Sequence, residues 1–394
     1  MFFSPNIYAL VLVAPMVLLL APNPLGWGDQ FQLSEGLRWD IAAAYVLSFM
    51  FFSLFKLKIL GKENDAKISF SPQLFWVALA VVSSFQIAKF VNIGDIPLFG
   101  DPLSRYRLTI GGYADFPTRM LPPLSWISLL LYVRLKRLRY LIGAVIPVFL
   151  TLLLMQRQET IYCIMGFIII FFIRRKLSLR QVMAVGLMVV LALYFLGYGA
   201  VMRYGAENLS SSIPASLLPI WIVHAEFSVP TRLAHMVIES MGGDMLYGRY
   251  TFASFYDLLS KDALTGAEYI REHYTEAQTA QSISAPFSYY LDFALFGVIA
   301  IAGVTAIIMK SLYRVAKDSQ GDLSRVLYAL VFLSALLSVR SGTSILNILL
   351  IYTVLFAISL TTGGSGLFRP FRQISRVLII VSMPISISTL IYKI

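Results

Sequence analysis

GAVMRYGAENLSSSIPASLLPIWIVHAEFSVPTRLAHMVIESMGGDMLYGRYTFASFYDLLSKDALTGAEYIREHYTEAQTAQSIS, residues 199–284, is a long polar stretch in a chain that otherwise reads as one apolar run after another. It holds all three histidines (His224, His235, His273), five basic residues (Arg203, Arg232, Arg249, Lys261, Arg271) and acids that include Glu207, Glu226, Glu239 and Asp244. Its reading decides the fold, because a segment this polar lies outside a bilayer while the apolar runs cross it. Within it, SVPTRLAHMVIES predicts a helix with Ser228 as cap and Pro230 in the first turn, where a missing amide proton costs nothing. At about 100° per residue, Arg232, His235 and Glu239 fall on one side, and Leu233, Val237, Ile238 and Met241 on the other. This pattern is that of a helix lying on an apolar surface, with a cation, an imidazole and a carboxylate facing water.

Composition agrees with that reading. The 394 residues are 58% hydrophobic and 13% charged, with a mean hydropathy of +0.75, which places the chain among polytopic integral membrane proteins of all-α class. We read residues 1–394 as a single membrane domain with about eleven spans, near 7–21, 40–57, 73–93, 123–133, 141–156, 158–173, 181–199, 286–309, 326–339, 345–361 and 377–392. The first apolar run has no basic residues before it and no small-residue cleavage pattern after it, so it reads as a first helix. The single cysteine, Cys163, allows no intramolecular disulfide.

Charge sets the orientation. Five short connections (KLKILGKENDAK, RLKRLR, RRKLSLR, residues 310–325 and RPFRQISR) hold 19 of the 32 Lys and Arg but only four of the 21 acids. The positive-inside rule puts these in the cytoplasm. The net charge of +11 is therefore a topology signal, and nucleic-acid binding is not expected.

Two long segments then face outward: 94–122 and 199–285. The first carries Arg105, Arg107 and Arg119 among glycines, prolines and tyrosines, with Asp95, Asp101 and Asp115 nearby. Spans 141–156 and 158–173 meet at Gln156-Arg157-Gln158-Glu159 with almost no loop. Each is roughly 24 Å long against about 30 Å of hydrocarbon, so Arg157 is expected below the outer surface. The same argument is applied to Arg340, where spans 326–339 and 345–361 meet. A sunken guanidinium needs a partner, and an incoming anion would supply one; pairing of Arg157 with Glu159 is the plainer alternative. No P-loop, dinucleotide fingerprint, HExxH or cysteine cluster is present, so no cofactor and no metal are expected.

Several stretches resemble the bacterial oligosaccharide repeat unit polymerases, the O-antigen polymerases, which are related to the O-antigen ligases. RQETIY (157–162) resembles their arginine-bearing helix start, MLYGRYTFASFYDLL (245–259) their amphipathic loop helix, and APFSYYLDFALFGVIA (285–300) the helix after their large periplasmic loop. Arg232 and Gly243 match an arginine, ten residues, glycine spacing found in some members. The resemblance implies a periplasmic-face glycosyltransferase in the bacterial inner membrane. It would join undecaprenyl-diphosphate-linked oligosaccharides, which serve as donor and acceptor, with a chain-length regulator protein as partner. It also implies cations for the departing diphosphate and a base for the attacking hydroxyl. The catalytic candidates are Arg157, Arg340 and Arg232 as cations, and His235, Glu226 or Glu159 as base. Arg203, Arg249, Arg105, Arg107, Arg119 and Tyr250 are candidates for substrate binding. Alternatives are a ligase, which shares donor and arginines, and a lipid-linked oligosaccharide flippase or exporter. A flippase would need related halves and deep charge, neither of which is evident. An acyltransferase is disfavoured because no His-containing catalytic motif lies near an early helix.

Overall fold

The computed structural model describes residues 4–9, 35–55, 68–100, 104, 117–154, 156–173, 217–251, 266–274, 283–318, 321–341 and 359–361, together with single positions at 180, 181, 183, 187 and 194. The described elements are α1 (Pro5–Ile7), α2 (Glu35–Phe52), β1 (Ile68–Phe70), α3 (Pro72–Ile93), α4 (Leu121–Leu135), α5 (Leu138–Leu153), α6 (Arg157–Phe172), α7 (Leu218–Met241), α8 (Gly266–Tyr274), α9 (Phe287–Asp318), α10 (Leu323–Ser341) and β2 (Ser359–Thr361). The chain divides into two compact units. One comprises 1–57, 176–310 and 334–346; the other comprises 58–175, 311–333 and 347–394.

Among the described residues α3 and α9 are long and apolar enough to cross a membrane, and four shorter apolar stretches fall within α4, α5, α6 and α10. The bounds of α3 follow local chemistry. Ser71 caps it by accepting the Leu74 amide, Pro72 opens it, and Gly94 ends it in the left-handed region at φ 71°. The expected span 377–392 and most of 7–21, 181–199 and 345–361 lie outside the described residues.

In the second unit α4 packs closely against α5 and α6. Hydroxyls hold the contact, as buried serines do between apolar helices: Ser125 Oγ donates to the Ala144 carbonyl at 2.7 Å, and Ser128 Oγ to that of Tyr140 at 2.6 Å. Trp126 is fully buried and its Nε1 donates to the Cys163 carbonyl at 3.1 Å. Gly166 lies directly beneath the indole, where a Cβ would collide with the ring.

One expectation is corrected by the described elements: the stretch 345–361 does not end as helix. Residues 359–361 form β2, antiparallel to β1 with Ile68 opposite Thr361, because a chain leaving an apolar environment can satisfy its backbone by pairing as well as by coiling. Among the described residues the regular structure is helical apart from this short ladder. α10 has 19 residues, of which the apolar part is the shorter stretch Leu323–Ser338, and α5 and α6 have 16 residues each.

The Tyr8 hydroxyl donates to the Ala335 carbonyl at 3.0 Å and lies 3.2 Å from the Tyr45 hydroxyl, so this buried phenol finds its partners on α2 and α10.

Replacing Gly166 by alanine should force the Trp126 ring aside and lower stability by about 1–3 kcal/mol. This is measurable as an earlier thermal transition of the detergent-solubilised protein, with Gly36→Ala, which meets no neighbour, as the neutral control.

Candidate functional site

The first unit builds its polar centre around the return of the large loop to α9. The centre is organised by an interruption in α9: Phe293 (φ −145°, ψ 25°) and Ala294 (φ 50°, ψ −147°) are not helical. An alanine held at positive φ costs about 1–3 kcal/mol, so surrounding contacts must hold it there. The contacts beside it are with residues 246–251. The carbonyls of Leu291 and Asp292 accept the amides of Leu246 (2.9 Å) and Tyr247 (3.0 Å). The Asp292 carboxylate, fully buried, accepts the amides of Tyr250 (3.0 Å) and Thr251 (2.6 Å). Four hydrogen bonds thus strap a turn containing Tyr247 (φ 49°) and Gly248 (φ 87°) onto two residues of α9. Asp292 immediately precedes the break, where backbone amides solvate its buried carboxylate in place of water.

The same turn is tied on its other side. The Ile283 amide donates to the Tyr250 hydroxyl at 2.6 Å. Burial pushes the Tyr250 phenol up from its ordinary range, and the hydrogen bond from Ile283 offsets part of that shift. Tyr250 is therefore an anchor within the protein and not the open substrate-facing ring expected from the sequence. Its neighbour Arg249 is exposed, with its guanidinium 5.6 Å over the Tyr269 ring, and that ring stacks on His273 at 4.1 Å.

Helix α7 differs from expectation in start and facing. It begins at Leu218, with Pro219 in the first turn and Pro230 inside. The proline rule holds, but for the earlier proline; Pro230 removes one ladder bond, which a helix of 24 residues tolerates. Arg232 is half-buried and Glu239 exposed, whereas His235 is fully buried with Phe287 edge-on at 5.1 Å. Periodicity located the polar side of α7 but not what packs on it: Phe287 closes over the imidazole. Thr231 and Ser284 hydroxyls lie 3.2 Å apart, and the Ala285 amide donates to the Ser338 carbonyl at 2.9 Å. These contacts bring the Arg232 helix, the loop return and the end of α10, two residues from Arg340, into one neighbourhood.

The second unit has its own polar cluster where α5 turns into α6. Arg157 is the first residue of α6, and Glu159 one turn in is half-buried. Fully buried Gln86 of α3 donates to the Leu150 carbonyl (3.3 Å) and to Gln156 Oε1 (2.9 Å). Lys89, also fully buried, donates to Thr118 Oγ1 at 2.8 Å, beside half-buried Arg119. Gln86 was missed in the sequence. The signal available was its spacing from Lys89, three residues apart on one face of an apolar helix.

Arg105, Arg107 and Arg203 lie outside the described residues, as do the side chains of Arg157, Arg340 and Glu226. Among the described residues no group of three or more His, Cys, Asp or Glu side chains converges as a metal site would.

The model of a family described as "Putative O-antigen polymerase" matches residues 1–352. The chain belongs to the O-antigen polymerase family. It is accordingly a membrane protein of polysaccharide biosynthesis. No curated protein and no solved structure matches it. The match covers both polar clusters and all of α1 to α10.

Tyr250→Phe leaves the Ile283 amide without its acceptor and should cost about 1–2 kcal/mol, whereas exposed Arg249→Ala should stay within about 0.5 kcal/mol of wild type. Thermal unfolding of both variants in detergent checks the contrast.

Proposed function

We propose that the protein is a polysaccharide polymerase that joins oligosaccharide repeat units carried on undecaprenyl diphosphate, at the periplasmic face of the bacterial inner membrane. Family membership over residues 1–352 carries the reaction class. In support stands the convergence of the Arg232 helix, the loop return and the end of α10 through Thr231, Ser284, Ala285 and Ser338.

The reaction transfers a glycan from its lipid diphosphate to a sugar hydroxyl of the next repeat unit. The C1–O bond to diphosphate breaks, a glycosidic bond forms, and the hydroxyl proton passes to a base. Arginine suits the leaving group because its planar fork matches phosphate oxygens and stays charged. Arg232 and Arg340 in one unit, and Arg157 at the start of α6 in the other, are the candidates, each to be tested by itself. Arg119 and Arg249, with Arg105, Arg107 and Arg203, remain candidates for binding substrate or membrane phosphate. For the base, the enclosure of His235 by Phe287 argues for a carboxylate, Glu159 or Glu226, since a base must reach hydrogen-bond range of the attacking hydroxyl. A chain-length regulator is the proposed protein partner. The family match does not favour a ligase or flippase.

The test is the polysaccharide banding pattern of a deletion strain complemented with wild type, Arg340→Ala, Arg232→Ala or Arg157→Ala. Wild type should restore a ladder. Variants lacking an essential arginine should leave a single repeat unit while accumulating to normal levels in the membrane. A deletion that removes the single-repeat band as well would indicate ligation or flipping instead.

A further inference from the structure

The turn at 246–251 has more structure than a linker needs, and it ends in a cation. Four hydrogen bonds from Leu246, Tyr247, Tyr250 and Thr251 land on Leu291 and Asp292, and a fifth ties the Tyr250 hydroxyl to Ile283. Between these anchors lies Arg249, the one charged residue of the turn. It is exposed, its guanidinium lies over the Tyr269 ring, and no described carboxylate is paired with it. An exposed arginine ordinarily spends its rotamer freedom in water. One fixed by a strapped backbone and an aromatic face has lost much of that freedom before any ligand arrives, and this favours capture of a phosphate.

We infer that Asp292 is a positioning residue: by holding the amides of Tyr250 and Thr251 it fixes the turn that presents Arg249 and the Tyr269 ring to a phosphate of the lipid-linked donor. The inference rests on the polymerase reading and names a contact of that substrate. Asp292 never meets the ligand, being fully buried; it acts through the backbone of residues 250–251. The chemistry recognised is a phosphate ester, which ordinary phospholipid headgroups also carry.

The experiment uses the full-length protein in nanodiscs, with undecaprenyl diphosphate as the probe. Binding is measured in phosphatidylcholine and again with phosphatidylglycerol added, for wild type, Arg249→Ala, Arg249→Lys, Asp292→Asn and the double variant Asp292→Asn/Arg249→Ala. Asparagine keeps the size of Asp292 but turns an amide donor toward the backbone N–H groups. The expected result is a weakening of about tenfold for Arg249→Ala and for Asp292→Asn, the strength of one charge-assisted contact. Arg249→Lys should recover part of it, and the double variant should bind no more weakly than Arg249→Ala. A purely structural Asp292 would instead add its own loss to that of Arg249→Ala.

Trypsin cleavage after Arg249, faster in Asp292→Asn than in wild type, is the expected sign that the turn has been released. Unchanged binding in Asp292→Asn with weakened binding in Arg249→Ala overturns the positioning role, and so does additivity. Unchanged binding in Arg249→Ala overturns the phosphate contact. Complete competition by phosphatidylglycerol assigns the contact to headgroups and overturns the donor assignment. Wild type that binds no undecaprenyl diphosphate in either lipid defeats the polymerase reading itself, a separate failure from the others.

Discussion

A buried carboxylate is tolerated only where donors surround it, and Asp292 obtains two of its donors from a segment some forty residues earlier in the chain. Much of the first unit's outer architecture depends on that exchange. The helix must stop for the carboxylate to face the turn, and it stops at Phe293 and Ala294 in a conformation alanine does not choose by itself. The carbonyls of Leu291 and Asp292 then take the amides of Leu246 and Tyr247. The loop return, fixed by this junction, continues to Ser284 and Ala285, which meet Thr231 of α7 and Ser338 of α10. A polar loop is thereby locked to an apolar bundle through backbone groups that each find a partner, as a membrane boundary demands.

The second unit solves the same problem with neutral side chains. Where α5 turns into α6, the Gln86 amide spans the Leu150 carbonyl and Gln156, and Thr160 bonds Thr151 across the turn at 3.1 Å. Lys89, near the C-terminal end of α3, donates to Thr118. The helices beneath are held by serine hydroxyls and by Trp126 over Gly166, contacts that need small residues more than hydrophobic ones. Each unit thus combines an apolar support with a polar cluster of its own.

Much of this was legible in the sequence, at the level where one period or one charge decides. The bounds of α3, α4, α5 and α6 follow from apolar run lengths, and Ser71, Pro72 and Gly94 mark the ends of α3 chemically. The importance of residues 199–284 follows from polarity alone. What could not be read depends on partners distant in sequence. Arg232, His235 and Glu239 share a side of α7, but only the packing of Phe287 makes His235 internal. Nothing in APFSYYLDFALFGVIA announces a break after Asp292, because the contacts beside it come from residues 246–251. Tyr250, a substrate-binding candidate by sequence, is bound to Ile283. The β1–β2 pairing joins stretches nearly three hundred residues apart, beyond any local pattern.

The proposed reaction forms glycosidic bonds at the expense of a lipid diphosphate. The most direct measurement uses purified protein in nanodiscs, given a defined oligosaccharide on undecaprenyl diphosphate and no other protein. The account predicts products longer by whole repeat units, with one undecaprenyl diphosphate released per new linkage. Intact substrate after prolonged incubation with folded protein, or release of lipid diphosphate without any glycan longer than one unit, would contradict it.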